Sequence, residues 1–156
     1  MLPVQKIVCP TDFSDLSYKA LDAAVEMAEK LNAELHLIHV VAPVQQVYSA
    51  GGMDASAAPA FNVEEYTSEM KNTASESLKS LAKDKAHGKA EVKTDVLIGN
   101  DADQIVGYAD EKDIDMIIIS THGRTGFSRL LLGSVAEKVI RHTYKPVLLI
   151  RNVPKE

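Results

Sequence analysis

The chain has 156 residues, which fits about one domain, since domains usually span roughly 100–200 residues. Hydrophobic residues make up 46% and charged residues 25%, which is typical of a globular protein and not of a disordered one. The net charge of −5 argues against partners that need a concentrated basic surface, namely nucleic acids and anionic membranes.

The sequence also bounds the compartment and the chemistry. Cys9 is the only cysteine, so one chain can form neither a disulfide framework nor a thiolate metal cage. The first residues lack a basic segment followed by an apolar core, and no apolar run approaches the ~18 residues that span a bilayer. We therefore expect a cytoplasmic protein without a membrane anchor.

The first third of the chain alternates strand and helix patterns. Residues 4–9 form a β-branched run that Pro10 closes, because proline cannot continue a ladder. Ser14 suits the N-cap of a following helix, and Asp15 suits its positive end. The apolar stripe of that helix has spacings of three and four and consists of Leu21, Ala24, Val25, Ala28 and Leu31. Residues 34–41 are mostly apolar and predict a second strand covered on both faces.

Residues 42–62 interrupt this alternation with two prolines, two glycines and many small residues. A structureless loop of about 20 residues is unusual inside a compact domain. Two interpretations stay open, a mobile loop near the mouth of a site and a passive surface loop.

The rest of the chain continues the alternation. A second helix ends near Gly88 as its C′ residue, and its apolar positions are Val63, Tyr66, Met70, Ala74, Leu78 and Leu81. Residues 91–98 alternate and predict a third strand. A third helix has its apolar positions at Ala102, Ile105, Val106 and Ala109.

The last elements are a strand, a helix and a strand. Residues 115–120 contain the most continuously apolar run and predict the fourth strand. Residues 134–143 predict a fourth helix whose inward positions are Val135, Val139 and Ile140. Pro146 opens a fifth strand over residues 147–151, and residues 152–156 resemble a tail.

Strands that alternate with helices predict an α/β fold, because each parallel crossover needs a helix. We expect one Rossmann-like domain over residues 1–156, with a doubly wound, open, five-stranded parallel sheet in the order 3-2-1-4-5 and helices on both faces. Ligands of such folds bind at the carboxyl ends of the strands where the strand order reverses, here between strands 1 and 4.

The loop after strand 4 and the start of the last helix read STHGRTGFSRLLLGSV. Gly123 and Gly126 permit a close approach of ligand to backbone, and Gly133 and Ser134 precede a helix whose free N–H groups can hold a phosphate. In the alternative interpretation, the glycines only form turns and Ser134 only caps the helix. The loop matches neither the GxxxxGK[ST] nor the GxGxxG motif.

These segments resemble the universal stress protein family over essentially the whole chain. The similar segments are Pro10-Thr11-Asp12-Phe13-Ser14, Leu37-Ile38-His39-Val40, the turn at Gly99 and the strand-4 loop through Gly133-Ser134. Nucleotide-binding members of the family carry G-x2-G-x9-G-[ST]. Gly123, nine further residues and Gly133-Ser134 match its second half, whereas Ser120 stands where the family has its first glycine.

The resemblance implies a set of ligand-binding residues. Asp12 is expected to face the ribose hydroxyls, although it could instead cap a helix. Pro10 and Thr11 are expected to line an adenine slot together with Val40, which would act through its backbone. The expected phosphate end comprises Ser120, His122, Gly123, Arg124, Gly133, Ser134 and Val135.

The implied function is that of a stress-response protein that binds ATP or AMP, with or without Mg²⁺, and acts as a nucleotide-dependent switch. Phosphoryl transfer needs carboxylates that hold Mg²⁺ and a group that orients the nucleophile. Because the strand-4 loop offers neither clearly, we expect at most slow ATP hydrolysis and assign no catalytic residue. The alternative is an interaction module of the same fold that binds no nucleotide, which Ser120 favours. A nucleotidyl transferase would need a motif such as HxGH, which the sequence lacks.

Three further expectations concern residues outside this set. His36 and His39 lie three apart on a strand, so they point to opposite faces and cannot bind one metal. Cys9 lies in a buried strand and is expected to be inert. The fifth strand, Val147–Arg151, is an unprotected apolar edge, and the resemblance agrees in predicting a homodimer through it.

Overall fold

The computed structural model describes residues 3–44, 62–122 and 132–151. Most of the predicted loop 42–62, the candidates Gly123 and Arg124, and the predicted tail 152–156 lie outside the described residues. The strands of the described part are β1 (Lys6–Pro10), β2 (Glu34–Val41), β3 (Val92–Ile98), β4 (Met116–Ser120) and β5 (Val147–Ile150). The helices that separate them are α1 (Asp15–Leu31), α2 (Val63–Ala86), α3 (Asp101–Glu111) and α4 (Ser134–His142).

The strands form one parallel sheet in the order β3-β2-β1-β4-β5, which confirms the predicted doubly wound topology. One face of the sheet packs against α1 and α2 through a core that includes Leu21, Leu37 and Leu78. The other face packs against α3 and α4 around Ile105 and Val139. None of the described helices has the length and apolar character that a membrane crossing requires.

The local signals at the ends of the helices are largely confirmed. The Ser14 side chain accepts a hydrogen bond from the Ser17 N–H and caps α1, with Asp15 in the first turn. At the end of α2, His87 adopts the left-handed conformation and Gly88 follows it with φ +75°, as expected of a C′ glycine.

Several predicted inward residues are exposed. Ile140 is 39% exposed, because Ala136 and Val139 fill the inward face of α4. Leu31 is 44% exposed in the last turn of α1. Met70 is exposed because the first turns of α2 extend beyond the sheet: a 24-residue helix is about 36 Å long, whereas the seven residues of β3 cover about 23 Å.

Pro10 ends one ladder of β1 but not the other, so the prediction that it closes the strand is half correct. The β1–β4 register stops at Val8↔Ile117, since the next bond on that side would need the N–H that proline lacks. The β1–β2 register includes Pro10↔Ile38, and the Thr11 N–H donates to the Ile38 carbonyl at 2.9 Å. The ladder between β1 and β4 therefore ends before the carboxyl edge of the sheet, at the predicted switch point.

Candidate functional site

The candidate residues in the described part form two groups, one on each side of the end of the β1–β4 ladder. The first group lies at the ends of β1 and β2 and contains Pro10, Thr11, Asp12 and Val40. The second lies at the end of β4 and the start of α4 and contains Ser120, His122, Gly133, Ser134 and Val135.

A chain of hydroxyl groups shapes the turn after β1. The buried Thr11 Oγ1 accepts a hydrogen bond from the Phe13 N–H at 3.1 Å and lies 2.8 Å from Ser17 Oγ. Ser17 Oγ in turn donates to the Ser14 carbonyl at 2.8 Å. Phe13 is held at φ +61°, a left-handed conformation that is uncommon outside glycine. The Thr11 side chain is thus committed to the fold and is not available to a ligand.

Asp12 has a structural partner in the same turn. Its Oδ1 accepts hydrogen bonds from the backbone N–H of Ser14, at 3.0 Å, and from the Ser14 hydroxyl. This arrangement is an Asx turn leading into the N-cap of α1. The carboxylate is half-buried and lies beside the end of β1.

β2 extends past the end of β1, and Val40 lies in this extension. In a parallel ladder, alternate residues direct both backbone groups to the same neighbouring strand. Ile38 directs its carbonyl to β1, and Val41, on the opposite parity, directs its carbonyl to the Gly99 N–H of the β3 end. Val40 therefore directs its N–H and C=O to the β1 side, two residues beyond the last register pair, Pro10↔Ile38.

At the end of β4, side chains bond within their own segment. Ser120 Oγ donates to the His122 carbonyl at 2.9 Å, which ties the residue that departs from the family glycine to the loop backbone. Thr121 Oγ1 lies 3.0 Å from His122 Nδ1. His122 Nε2 is buried without a hydrogen-bond partner, the one such side-chain atom in the described part of the chain.

Gly133 brings the start of α4 against the end of β4. Its N–H donates to the Thr121 carbonyl at 2.7 Å, and a Cβ on Gly133 would also lie 2.7 Å from that oxygen. Among the described residues no side chain caps α4, so within that part of the chain no cap satisfies the N–H groups of its first turn, which begins at Ser134 and Val135. The Gly133 N–H itself is already used within the fold.

Sequence reasoning missed two polar residues beside the first group. Desolvation raises the pKa of the Asp101 carboxyl, nearby Asp12 raises it further, and His39 opposes the change. His39 Nδ1 lies 2.8 Å from the Thr11 carbonyl oxygen, and its ring packs against Phe13 at a centroid distance of 4.7 Å. Asp101 belongs to none of the segments that carry the family resemblance, and His39 stands in one of them without an expected role in the site, so only the register of β2 and β3 could have indicated their proximity.

The two strand histidines have different environments. His36, 4% exposed, places Nδ1 2.8 Å from the Tyr108 hydroxyl and Nε2 2.6 Å from a Glu34 carboxylate oxygen, on the α3 side of the sheet. His39 packs on the other face against Phe13. In the described ranges, no group of three or more His, Cys, Asp or Glu side chains could hold a metal ion. Burial raises the pKa of the Cys9 thiol to about 12.

Comparison with known proteins identifies relatives over almost the whole chain. The model of the universal stress protein family matches residues 3–151. The chain is 38% identical over 153 residues to Universal stress protein MJ0531 of Methanocaldococcus jannaschii, covering 97% of this chain and 85% of that protein. It is 35% identical over 150 residues to Universal stress protein YxiE of Bacillus subtilis, covering 94% and 98%.

Solved structures show the same fold. The structure of the M. jannaschii protein MJ0577 has a TM-score of 0.77 at 25% identity, covering 99% of this chain and 100% of that one. A universal stress protein in complex with cAMP has a TM-score of 0.64 at 24% identity, covering 96% and 98%. The protein from Archaeoglobus fulgidus in complex with dAMP has a TM-score of 0.57 at 24% identity, covering 96% and 99%.

Proposed function

Since the chain belongs to the universal stress protein family, we propose that it binds an adenine nucleotide, ATP or AMP, and acts as a nucleotide-dependent switch. The observation that carries the proposal is the pair of backbone surfaces beside the end of the β1–β4 ladder. One is the backbone of Val40 beyond the end of β1, and the other is the uncapped start of α4. Two proteins of this fold are described in complex with adenine nucleotides, cAMP and dAMP, which supports the fold's capacity for such ligands.

In this proposal the two groups divide the nucleotide between them. The backbone of Val40 meets the adenine base beside Pro10 and Thr11, and the Asp12 carboxylate meets the ribose hydroxyls. The N–H groups in the first turn of α4, from Ser134 and Val135 onward, meet the phosphates because a helix N-terminus favours negative charge. Gly133 contributes by permitting the close approach of α4 to β4, since its own N–H is taken by Thr121.

We propose that any ATP hydrolysis is slow. In-line phosphoryl transfer needs metal-holding carboxylates and an oriented nucleophile. The acidic residue in the first turn of α4, Glu137, is paired with Arg141 at 2.8 Å. Mg²⁺, where it accompanies ATP, would then be held mainly by the phosphates themselves.

Titration calorimetry with ATP, ADP and AMP tests the proposal on the unmodified chain and on Asp12→Ala. If Asp12 bonds the ribose, the variant loses about tenfold or more in affinity, as expected for a hydrogen bond to a charged group. If it serves only the Ser14 turn, the melting temperature falls and the affinity stays unchanged. Absence of heat and of a melting shift for the unmodified chain at millimolar nucleotide would favour the non-binding interaction module instead.

Ser120→Gly is the second variant of this experiment. Because the Ser120 hydroxyl bonds the His122 carbonyl and not the start of α4, we expect affinity for ATP to change by no more than about fivefold. Binding that appears only in Ser120→Gly would show that the serine blocks the site.

We also propose a homodimer through β5. In the described sheet β5 pairs only with β4 and is an edge strand without inward charge or internal proline. Leu148 directs its backbone to β4, whereas Leu149 directs its backbone to the free edge, because alternate residues face alternate neighbours. Light scattering at ~50 µM should show a dimer that Leu149→Pro dissociates; a monomer at that concentration would contradict the proposal.

A further inference from the structure

The parallel ladder between β1 and β2 lacks its next hydrogen bond. Continued beyond Pro10↔Ile38, the register would pair Asp12 with Val40, and the Val40 N–H would donate to the Thr11 carbonyl. Within residues 3–44 no backbone hydrogen bond joins these two groups. Two adjacent, complementary backbone groups thus remain unjoined at the edge of the proposed adenine slot.

The Thr11 carbonyl is bound by a side chain instead. His39 Nδ1 lies 2.8 Å from this oxygen, and since a carbonyl can only accept, Nδ1 carries the proton and donates. The imidazole is held in place by Phe13, whose ring centroid is 4.7 Å away. Phe13 is itself fixed at φ +61° by its N–H bond to Thr11 Oγ1. One side chain of β2 therefore occupies the acceptor that the neighbouring residue of β2 would otherwise use.

We infer that His39 is a positioning residue that keeps the Val40 backbone available for a ligand. By donating to the Thr11 carbonyl, the imidazole competes with the Val40 N–H for this acceptor and so weakens the tendency of Val40 to extend the ladder. The ligand served is a planar heterocycle with an adjacent hydrogen-bond donor and acceptor, as on the edge of adenine. The inference rests on the proposed function for the identity of the ligand. It does not rest on the proposed function for the competition between His39 and Val40 for the Thr11 carbonyl.

Amide hydrogen exchange, measured by NMR without nucleotide, tests whether His39 and Val40 compete for the Thr11 carbonyl. In the unmodified chain the Val40 amide should exchange at least tenfold faster than the Ile38 amide, which faces the hydrogen-bonded part of β1. In His39→Ala the Thr11 carbonyl accepts from Val40, and the Val40 amide should slow by about tenfold while Ile38 stays unchanged. His39→Gln, whose amide can donate to the same carbonyl, should restore fast exchange. Equal Val40 protection in all three proteins would overturn the inference.

Calorimetry with the nucleoside part and the phosphate part of the nucleotide, titrated separately, tests the consequence for binding. His39→Ala should weaken adenosine and ATP about tenfold and leave inorganic tripolyphosphate unchanged, because the phosphate end lies at β4 and α4. His39→Gln should recover most of the loss, and His142→Ala, an exposed change at the end of α4, should have no effect. Equal losses for adenosine and tripolyphosphate, or no rescue by glutamine, would reduce His39 to a general structural role. Failure of the unmodified chain to bind any nucleotide would contradict the proposed function, while the exchange experiment would still decide the role of His39.

Discussion

Replacement of Gly133 by alanine should destabilise the fold because the added Cβ would collide with the backbone at the end of β4. Gly133 has φ −62°, so alanine can adopt its backbone conformation without strain. The added Cβ, however, would lie 2.7 Å from the Thr121 carbonyl oxygen and 3.3 Å from the His122 Cα. Both atoms belong to the backbone at the end of β4, and neither can move away as a flexible side chain could.

The expected magnitude follows from opposing terms. Overpacking of a tight site costs about 1–3 kcal/mol, and displacement of Thr121 also weakens its bond with the Gly133 N–H by about 0.5–1.5 kcal/mol. Loss of glycine freedom in the unfolded chain returns about 0.4–1 kcal/mol. The net loss in the free energy of unfolding should therefore be about 0.5–4 kcal/mol.

Urea unfolding of the ligand-free protein measures this loss, with Gly107→Ala as the matched control. Gly107 lies in α3, and apart from its chain neighbours and the backbone of its own helix no atom of the described residues would lie within 4 Å of an added Cβ, so alanine there should stabilise by about 0.8–1 kcal/mol through helix propensity. A Gly133→Ala variant as stable as the unmodified chain would refute the steric argument. Gly133 would then serve the ligand only.

Three other predictions concern groups away from the proposed site. Tyr108→Phe removes the hydroxyl partner of His36 Nδ1 and should cost about 1–3 kcal/mol in urea unfolding, whereas a neutral result would mean that another group satisfies the ring. Lys93 and His36 lower the pKa of Glu34. The stabilising contribution of the Glu34 carboxylate is therefore present above the ordinary carboxyl pKa and is lost as the pH falls through the lowered pKa. The difference in the free energy of unfolding between the unmodified chain and Glu34→Gln should shrink on acidification. Cys9, with a pKa of about 12, should react with iodoacetamide at about pH 8 only after unfolding.

The sequence predicted the order and type of the elements well because its signals were local. Helix caps such as Ser14 and the continuously apolar β4 depend on neighbouring residues alone. The inward position of Ile140 was wrong because apolar spacing does not show which residues of a short helix contact the sheet. The exposure of Met70 depends on the relative lengths of α2 and β3, which no local pattern contains.

The location of the candidate site is a prediction from the sequence, whereas the contacts of its residues come from the structure. The fold rule for doubly wound sheets predicts a ligand at the ends of β1 and β4, and the family resemblance supplies most of the candidate residues. The partners of Thr11 and Gly133 depend on register and on contacts between distant segments. For that reason the contact of His39 with the Thr11 carbonyl and the use of the Gly133 N–H within the fold became visible only in the structure.

The unequal ladders of β1 have a consequence for cooperativity. Five register pairs join β1 to β2 and four join β4 to β5, but only Ile7↔Met116 and Val8↔Ile117 join the two halves of the sheet. Cohesion across this seam comes largely from side chains, with Ile118 buried in the core that α1 covers. The halves are therefore expected to open as separate units in native-state exchange, and any molecule bound on both sides of the seam would make them open as one.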